Sequence, residues 1–398
     1  MSIAEDFDRI GIERLREVGS VKWSMFPDTI GAFVAEMDFG TSPAIEAALR
    51  RSIDDSLFGY LPARLAEDMS AACARWQESR YGWRVSADRV KPVPDVLAAL
   101  RATIDHYSAP GSKVIVPTPA YMPFLSVPKM HDREIIEVPM LVEQGRYVLD
   151  LEGIDRAFRD GGGLLLLCNP GNPVGRVFDR DELVRVSEIV AAHDGRVFAD
   201  EIHAPLVFSP HRHIPYASLS EVTAGHTITA TSASKAWNIP GLKAAQVILS
   251  NDDDAEVWAR PEVSWNEHGV SNMGVVATIA AYDESGSWLD ETIGYIDGNR
   301  RMLGELLAEL IPGMGYSAPE GTYIAWLDAR ALEIEGSPAE FLREHAAVSL
   351  TDGRSCGVAG AGFLRFILAT PRPILERAVR QIAAALDRRG SSSERAVR

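Results

Sequence analysis

Between residues 113 and 249 the chain repeats one pattern: a short apolar run, a turn, then an amphipathic stretch. The runs fall at 113–116, 135–138, 164–167, 196–199, 227–230 and 245–249, several bounded by Gly, Pro or Asp. Continuous apolar runs of this length predict strands buried on both faces, as in parallel sheets. Apolar positions three and four apart predict helices over 43–54 and 63–81. Another is predicted over 179–193, where Asp179-Arg-Asp-Glu182 suits a helix start. Alternation of this kind predicts a mostly parallel α/β sheet with helices on both faces, and ligands at the carboxyl ends of its strands.

After residue 283 the rhythm changes. A long helix is predicted over 288–310, stopped by Ile311-Pro-Gly313. Strand patterns at 322–327 and 363–368 and helix patterns at 338–345 and 373–386 follow. The expected organisation is a large domain over 43–283 and a smaller α+β domain from 1–42 plus 284–389. A tail at 390–398 has the composition of a disordered terminus.

The chain has 398 residues and a formal charge of −16, which argues against nucleic-acid or anionic-membrane binding. Three scattered cysteines, Cys73, Cys168 and Cys356, give neither a disulfide framework nor a metal-binding pair, and no metal site is expected. No apolar run reaches the roughly 18 residues of a membrane span, and the first residues lack a signal-peptide pattern, so a cytoplasmic protein is expected. Of 40 basic residues only 6 are lysine. Lysine-dependent chemistry therefore has few candidates.

Three segments at predicted strand ends carry chemistry. Cys168-Asn-Pro-Gly-Asn-Pro-Val-Gly175 cannot continue a strand or begin a helix, so it forms a structured loop. Ala199-Asp-Glu-Ile-His203 sets an acidic pair at a strand terminus, suited to a metal, a proton or a cationic ring nitrogen. Thr231-Ser-Ala-Ser-Lys235 places a lysine beside small hydroxyls, and Lys243 follows within nine residues. A lysine amine can form a Schiff base with an aldehyde, while Ser232, Ser234 and Lys243 offer donors to a phosphate. Each segment alone also suits an ordinary turn or a solvated surface. Together they match what pyridoxal phosphate needs: a lysine, a carboxylate for the ring nitrogen, a donor to the phenolic oxygen, an aromatic face and a phosphate cradle.

The order Asn-Pro-x-Gly, Asp, Ser-x-Ser-Lys resembles the fold-type I pyridoxal-phosphate enzymes of the class I/II aminotransferase superfamily. Met37-Asp-Phe39, Phe58-Gly-Tyr60, Asp200-Glu-Ile-His203, Ser232-Ala-Ser-Lys-Ala-Trp-Asn-Ile-Pro240 and Pro319-Glu-Gly-Thr-Tyr-Ile-Ala-Trp-Leu-Asp328 look like those of MalY/PatB-type cystathionine β-lyases. The resemblance covers roughly residues 20–388. It implies a three-layer cofactor-binding domain with a smaller domain, and Lys235 as the Schiff-base lysine. It further implies Asp200 against the pyridine nitrogen, Asn172 on the phenolic oxygen and Tyr121 stacked on the ring. The phosphate is expected on Ser232, Lys243 and the helix start at Asp95 and Val96, with Asp95 capping that helix. Tyr60 is expected to reach the neighbouring subunit's phosphate, which makes a homodimer part of the expectation. Arg365 matches the arginine that grips a substrate α-carboxylate. His203 has two readings, a residue behind Asp200 or a structural histidine. Glu36 stands where many relatives have Asp, and Phe39, Trp237 and Tyr323 suggest an apolar substrate pocket.

The implied reaction is α,β-elimination from L-cystathionine or a related S-substituted L-cysteine, with transamination on the same cofactor as the alternative. A nicotinamide-dependent dehydrogenase is disfavoured: Gly161–Gly163 and Gly357–Gly362 both precede strand patterns, so neither is a dinucleotide fingerprint. The complete set of Lys235, Asp200, Asn172 and Arg365 weighs against a non-catalytic module.

Overall fold

Seven strands make the central sheet of the computed structural model, which describes residues 2–396, with side chains through residue 389. They are β1 (Val90–Val93), β2 (Lys113–Thr118), β3 (Ile135–Pro139), β4 (Gly162–Cys168), β5 (Arg196–Asp200), β6 (Thr227–Thr231) and β7 (Ala245–Leu249). Their order is β1-β7-β6-β5-β4-β2-β3. The pairs from β6 through β3 are parallel, and β7 runs antiparallel to both neighbours. All six predicted runs are strands. The seventh, β1, is interrupted by Pro92 and gave no apolar run to read.

Alternate residues of one strand serve opposite cores. In β4, Leu164 and Leu166 pack on one face with Leu100 and Ile104 of α3 (Val96–His106). Leu165 and Leu167 pack on the other with Ile154 of α4 (Leu151–Arg159) and Leu183 and Val186 of α5 (Arg180–Ala192). That double burial explains why the strands read as unbroken apolar runs. Two predicted amphipathic helices, α1 (Pro43–Asp54) and α2 (Ala63–Tyr81), pack against α6 (Asn272–Glu284).

The remainder builds a second sheet of four antiparallel strands: β8 (Gly315–Tyr316), β9 (Ile324–Asp328), β10 (Thr351–Asp352) and β11 (Phe363–Ile367), in the order β8-β9-β11-β10. Helices α7 (Gly286–Leu310), α8 (Pro338–Ala346) and α9 (Arg372–Ala396) surround it, and their apolar faces merge with the N-terminal segment into one large core. The stretch 390–396, expected to be disordered, continues α9; residues 397 and 398 lie outside the described residues. Adding a turn to an existing helix avoids the cost of nucleation, which composition alone does not reveal. No helix among the described residues is long and apolar enough to cross a membrane.

Candidate active site

The parallel register sets the site. Cys168 of β4 pairs with Asp200 of β5, and Asp200 pairs with Ala230 of β6, so three chemistry-bearing loops leave the sheet side by side. They open into a cavity of about 570 Å³ lined by Asn172, Asp200, His203, Ser232, Lys235 and Lys243. Tyr121 from the β2 end, Asp95 and Val96 from the start of α3, and Arg365 from β11 complete its polar wall. Of the residues expected to hold the cofactor or the substrate carboxylate, Tyr60 lies elsewhere. It is 99% exposed on the loop between α1 and α2, near an exposed Phe58.

Each loop is shaped for its task. Gly175 has φ +70°, and a Cβ there would lie 2.3 Å from Pro319 Cβ, so the loop carrying Asn172 turns back tightly against residue 319. Asp95 caps α3 by accepting from the Ala98 N–H at 2.8 Å, and its other oxygen accepts from Lys243 Nζ at 3.1 Å. The carboxylate at the phosphate turn is thereby paired with a lysine. The unpaired N–H groups of the first helical turn favour an anion there. The Ser232 hydroxyl donates to the Ala244 carbonyl and accepts from the Ser234 N–H, so it shapes the turn as well as lining the cavity.

The electrostatics are those of buried groups with few partners. Asp200, 3% exposed, accepts from the Ile202 N–H at 3.1 Å. Burial pushes its carboxyl up to about 7, against the pull of that N–H and of Lys235. Burial and the nearby Arg365 lower the Lys235 amine to about 8, partly opposed by Glu36 and Asp200. Its Nζ donates to the Ala35 carbonyl at 2.8 Å. Burial also brings His203 down to about 3, so its ring is neutral, and its Nδ1 has no partner. Arg365 donates to the Phe33 carbonyl at 2.8 Å and distantly to Asn172 Oδ1 at 3.4 Å, and its buried Nε has no partner. A guanidinium so placed is ready for a carboxylate. Desolvation and the negative charge of Asp200 both raise the Tyr121 hydroxyl, which stays neutral.

The apolar wall corrects one expectation. Phe39 stacks on Phe7 at 4.2 Å, and Trp237 packs edge-on against Trp76 and Tyr282, so both belong to the large core. Tyr323 stands behind the cavity, its hydroxyl donating to the Ala35 carbonyl. Met25, Phe33, Val34, Leu97 and Met122 line the cavity in their place. No sequence signal marked Met25 or Phe33: they come from an N-terminal segment with neither periodicity nor a motif at those positions.

Residues 32–382 match the family Aminotransferase class I and II. The chain is 38% identical to the cystathionine beta-lyase of Corynebacterium glutamicum, over 94% of this chain and 99% of that one. It is 33% identical to the cystathionine beta-lyase PatB of Bacillus subtilis, over 92% and 96%. Its structure matches cystalysin from Treponema denticola, whose crystals contain pyridoxal 5′-phosphate, with TM-score 0.89 at 30% identity over 95% of this chain and 98% of that one. The chain belongs to the class I and II aminotransferase family, with the α/β fold that its sheet order displays.

Proposed function

We propose that the protein is a pyridoxal-phosphate-dependent C–S β-lyase that releases thiol, pyruvate and ammonia from L-cystathionine or a related S-substituted L-cysteine. One observation carries this reading: Lys235, Asp200 and the unsatisfied guanidinium of Arg365 share one buried cavity. The names of the relatives at 38% and 33% identity support it.

The residues present fit the cofactor. Lys235 would take its aldehyde, Asp200 its ring nitrogen, Asn172 its phenolic oxygen and Tyr121 a ring face. The α3 start at Asp95 and Val96, with Ser232 and Lys243, would hold the phosphate. Asp200 would then gain the cationic partner it lacks, which favours its carboxylate form. His203 would remain a neutral neighbour. When bound, the cofactor supplies an electron sink for negative charge developing at the substrate Cα.

The chain's own residues do the rest. Arg365 would turn from the Phe33 carbonyl to the substrate carboxylate and fix which Cα bond faces the ring. Lys235, freed by the substrate amine, would take the Cα proton on Nζ; an amine near 8 suits that work close to neutral pH. The apolar side chains of Met25, Phe33 and Met122 would border the sulfur side chain. We further propose a cytoplasmic homodimer in which exposed Tyr60 reaches the partner's phosphate. Residues 43–283 would form the cofactor-binding unit, and 1–42 with 284–389 the smaller one.

The deciding assay follows pyruvate and free thiol from L-cystathionine. Lys235→Ala is expected to lower release by more than about 10³-fold. A substrate-derived keto acid that appears only with a second amino acceptor would establish transamination instead.

A further inference from the structure

Lys22 is one of six lysines and is fully buried, yet it lies outside the proposed chemistry. It sits on the short helix Val21–Ser24 and donates to Asp38 Oδ2 at 2.8 Å, while the neighbouring Trp23 indole donates to Asp38 Oδ1 at 2.7 Å. Lys22 Nζ also reaches the Glu36 carbonyl at 3.4 Å, and Ser20 hydrogen-bonds the Glu36 carboxylate. The backbone packs as closely: a Cβ on Gly31 would lie 2.1 Å from the Lys22 carbonyl. A buried ion pair costs desolvation that its attraction barely repays, so fold stability alone is a weak reason for one.

The arch that this pair braces explains it better. Backbone bonds anchor it at both ends, Ala32 N–H to the Ser349 carbonyl and Asp38 N–H to the Ala369 carbonyl, and the Ile367 N–H of β11 donates to the Ala32 carbonyl. Between those ties its carbonyls face the cavity. The Phe33 carbonyl accepts from Arg365, and that of Ala35 accepts from Lys235 and from Tyr323 at 3.0 Å. Met37 exchanges two hydrogen bonds with the Asn238 side chain, three residues beyond Lys235. One arch therefore holds both the lysine amine and the guanidinium.

We infer that the buried Lys22–Asp38 ion pair is a positioning pair: it fixes the arch 33–37 so that the Ala35 carbonyl aims the Lys235 amine and the Phe33 carbonyl parks Arg365. The inference rests on Lys235 and Arg365 having the roles given above. The charged or titratable groups facing the Lys235 amine are Glu36 on the arch, Asp200 at the end of β5, His203 beyond it, Tyr323 before β9 and Arg365 on β11. Of these, Glu36 and Asp200 favour the protonated amine; Glu36 belongs to the arch, as does the Ala35 carbonyl that accepts from the amine.

Lys22→Met alone leaves a buried carboxylate unpaired and can unfold the chain, so the test uses K22M/D38N. That double variant carries no lone charge and keeps an oxygen for Trp23. In the holoenzyme its kcat for thiol release is expected to fall about tenfold through misalignment. The acid limb of its kcat profile is expected about half a pH unit lower, because the freed amine loses groups that favour its charged form. L-alanine can displace the lysine but has no leaving group. Its titration, read by cofactor absorbance, should show affinity weakened about fivefold by a displaced Arg365. A double variant with the wild-type acid limb and wild-type L-alanine affinity, whatever its melting temperature, overturns the inference. A wild-type enzyme with neither pyruvate release nor an absorbance response to L-alanine would instead sink the underlying reading.

Discussion

Arg176 and Arg365 are both almost wholly withdrawn from water, at 2% and 3% exposure, and the structure treats them oppositely. Arg176 is saturated: it donates to the Tyr147 carbonyl, to Glu320 at 2.8 Å and to Glu182 at 2.6 Å. Arg146 braces the same Glu320 carboxylate, which also accepts from the Val177 N–H. Arg365 has a backbone carbonyl, a long contact to an amide oxygen and an unpartnered Nε, with no carboxylate paired to it among the described residues. Burial holds its guanidinium below the usual arginine range. Arg176 stitches the 168–182 region to residue 320, whereas Arg365 carries a buried charge that no carboxylate among the described residues pairs. A buried charge left without a counter-charge is costly, so the cavity bears a penalty that a ligand relieves.

Exchanging each member for an apolar residue breaks that contrast. Arg365→Leu is expected to lower kcat/KM by about 10³-fold, roughly 4 kcal/mol of transition-state binding, with the melting temperature equal to or above wild type. Steady-state kinetics and calorimetry check both halves, and a large loss of stability would place Arg365 with Arg176. Arg176→Met should do the reverse. Leaving Glu182 and Glu320 short of a counter-charge is expected to cost about 3 kcal/mol in a denaturant titration, with kcat per folded molecule unchanged.

Asp200 sharpens the same point through pH. Burial pushes its folded carboxyl up to about 7, against an ordinary value of 3.8. The unfolded chain therefore loses that proton first. The penalty is absent below the ordinary value, builds as pH rises through the window, and is complete above 7. Asp200→Asn, which keeps the oxygen that accepts from Ile202 N–H, should stabilise the cofactor-free protein at pH 8 by about 2 kcal/mol. That gain should vanish near pH 4, as a pair of denaturant titrations would show. The smallest effect belongs to the exposed Arg380–Glu376 pair at 2.8 Å. Glu376→Gln is expected to change stability by less than about 0.5 kcal/mol; a larger change would show that exposure does not set the value of these pairs.

Much of the site was legible because parallel strands end together. Asn172, Asp200 and Lys235 each follow a strand that the apolar runs marked, and sheet register alone places neighbouring strand ends side by side. Asp95 as a helix cap was readable too, since a cap is a local hydrogen bond three residues long. The apolar pocket was not. Phe39 and Trp237 looked like pocket residues because aromatic character is visible in sequence, whereas the direction of a side chain is not. Ala35 and Phe33 went unseen for a deeper reason: they act through carbonyl groups that every residue has.

The sequence by itself determined the alternating α/β pattern, the scarcity of lysine and the three strand-end segments, because these rest on neighbours a few residues apart. Only the tertiary structure decided that no described carboxylate pairs with Arg365, that Lys22 pairs with Asp38, and that an N-terminal arch reaches a lysine 200 residues away. Those facts depend on which groups the folded chain withdraws from water together, and the strength of a charge is set by that shared burial.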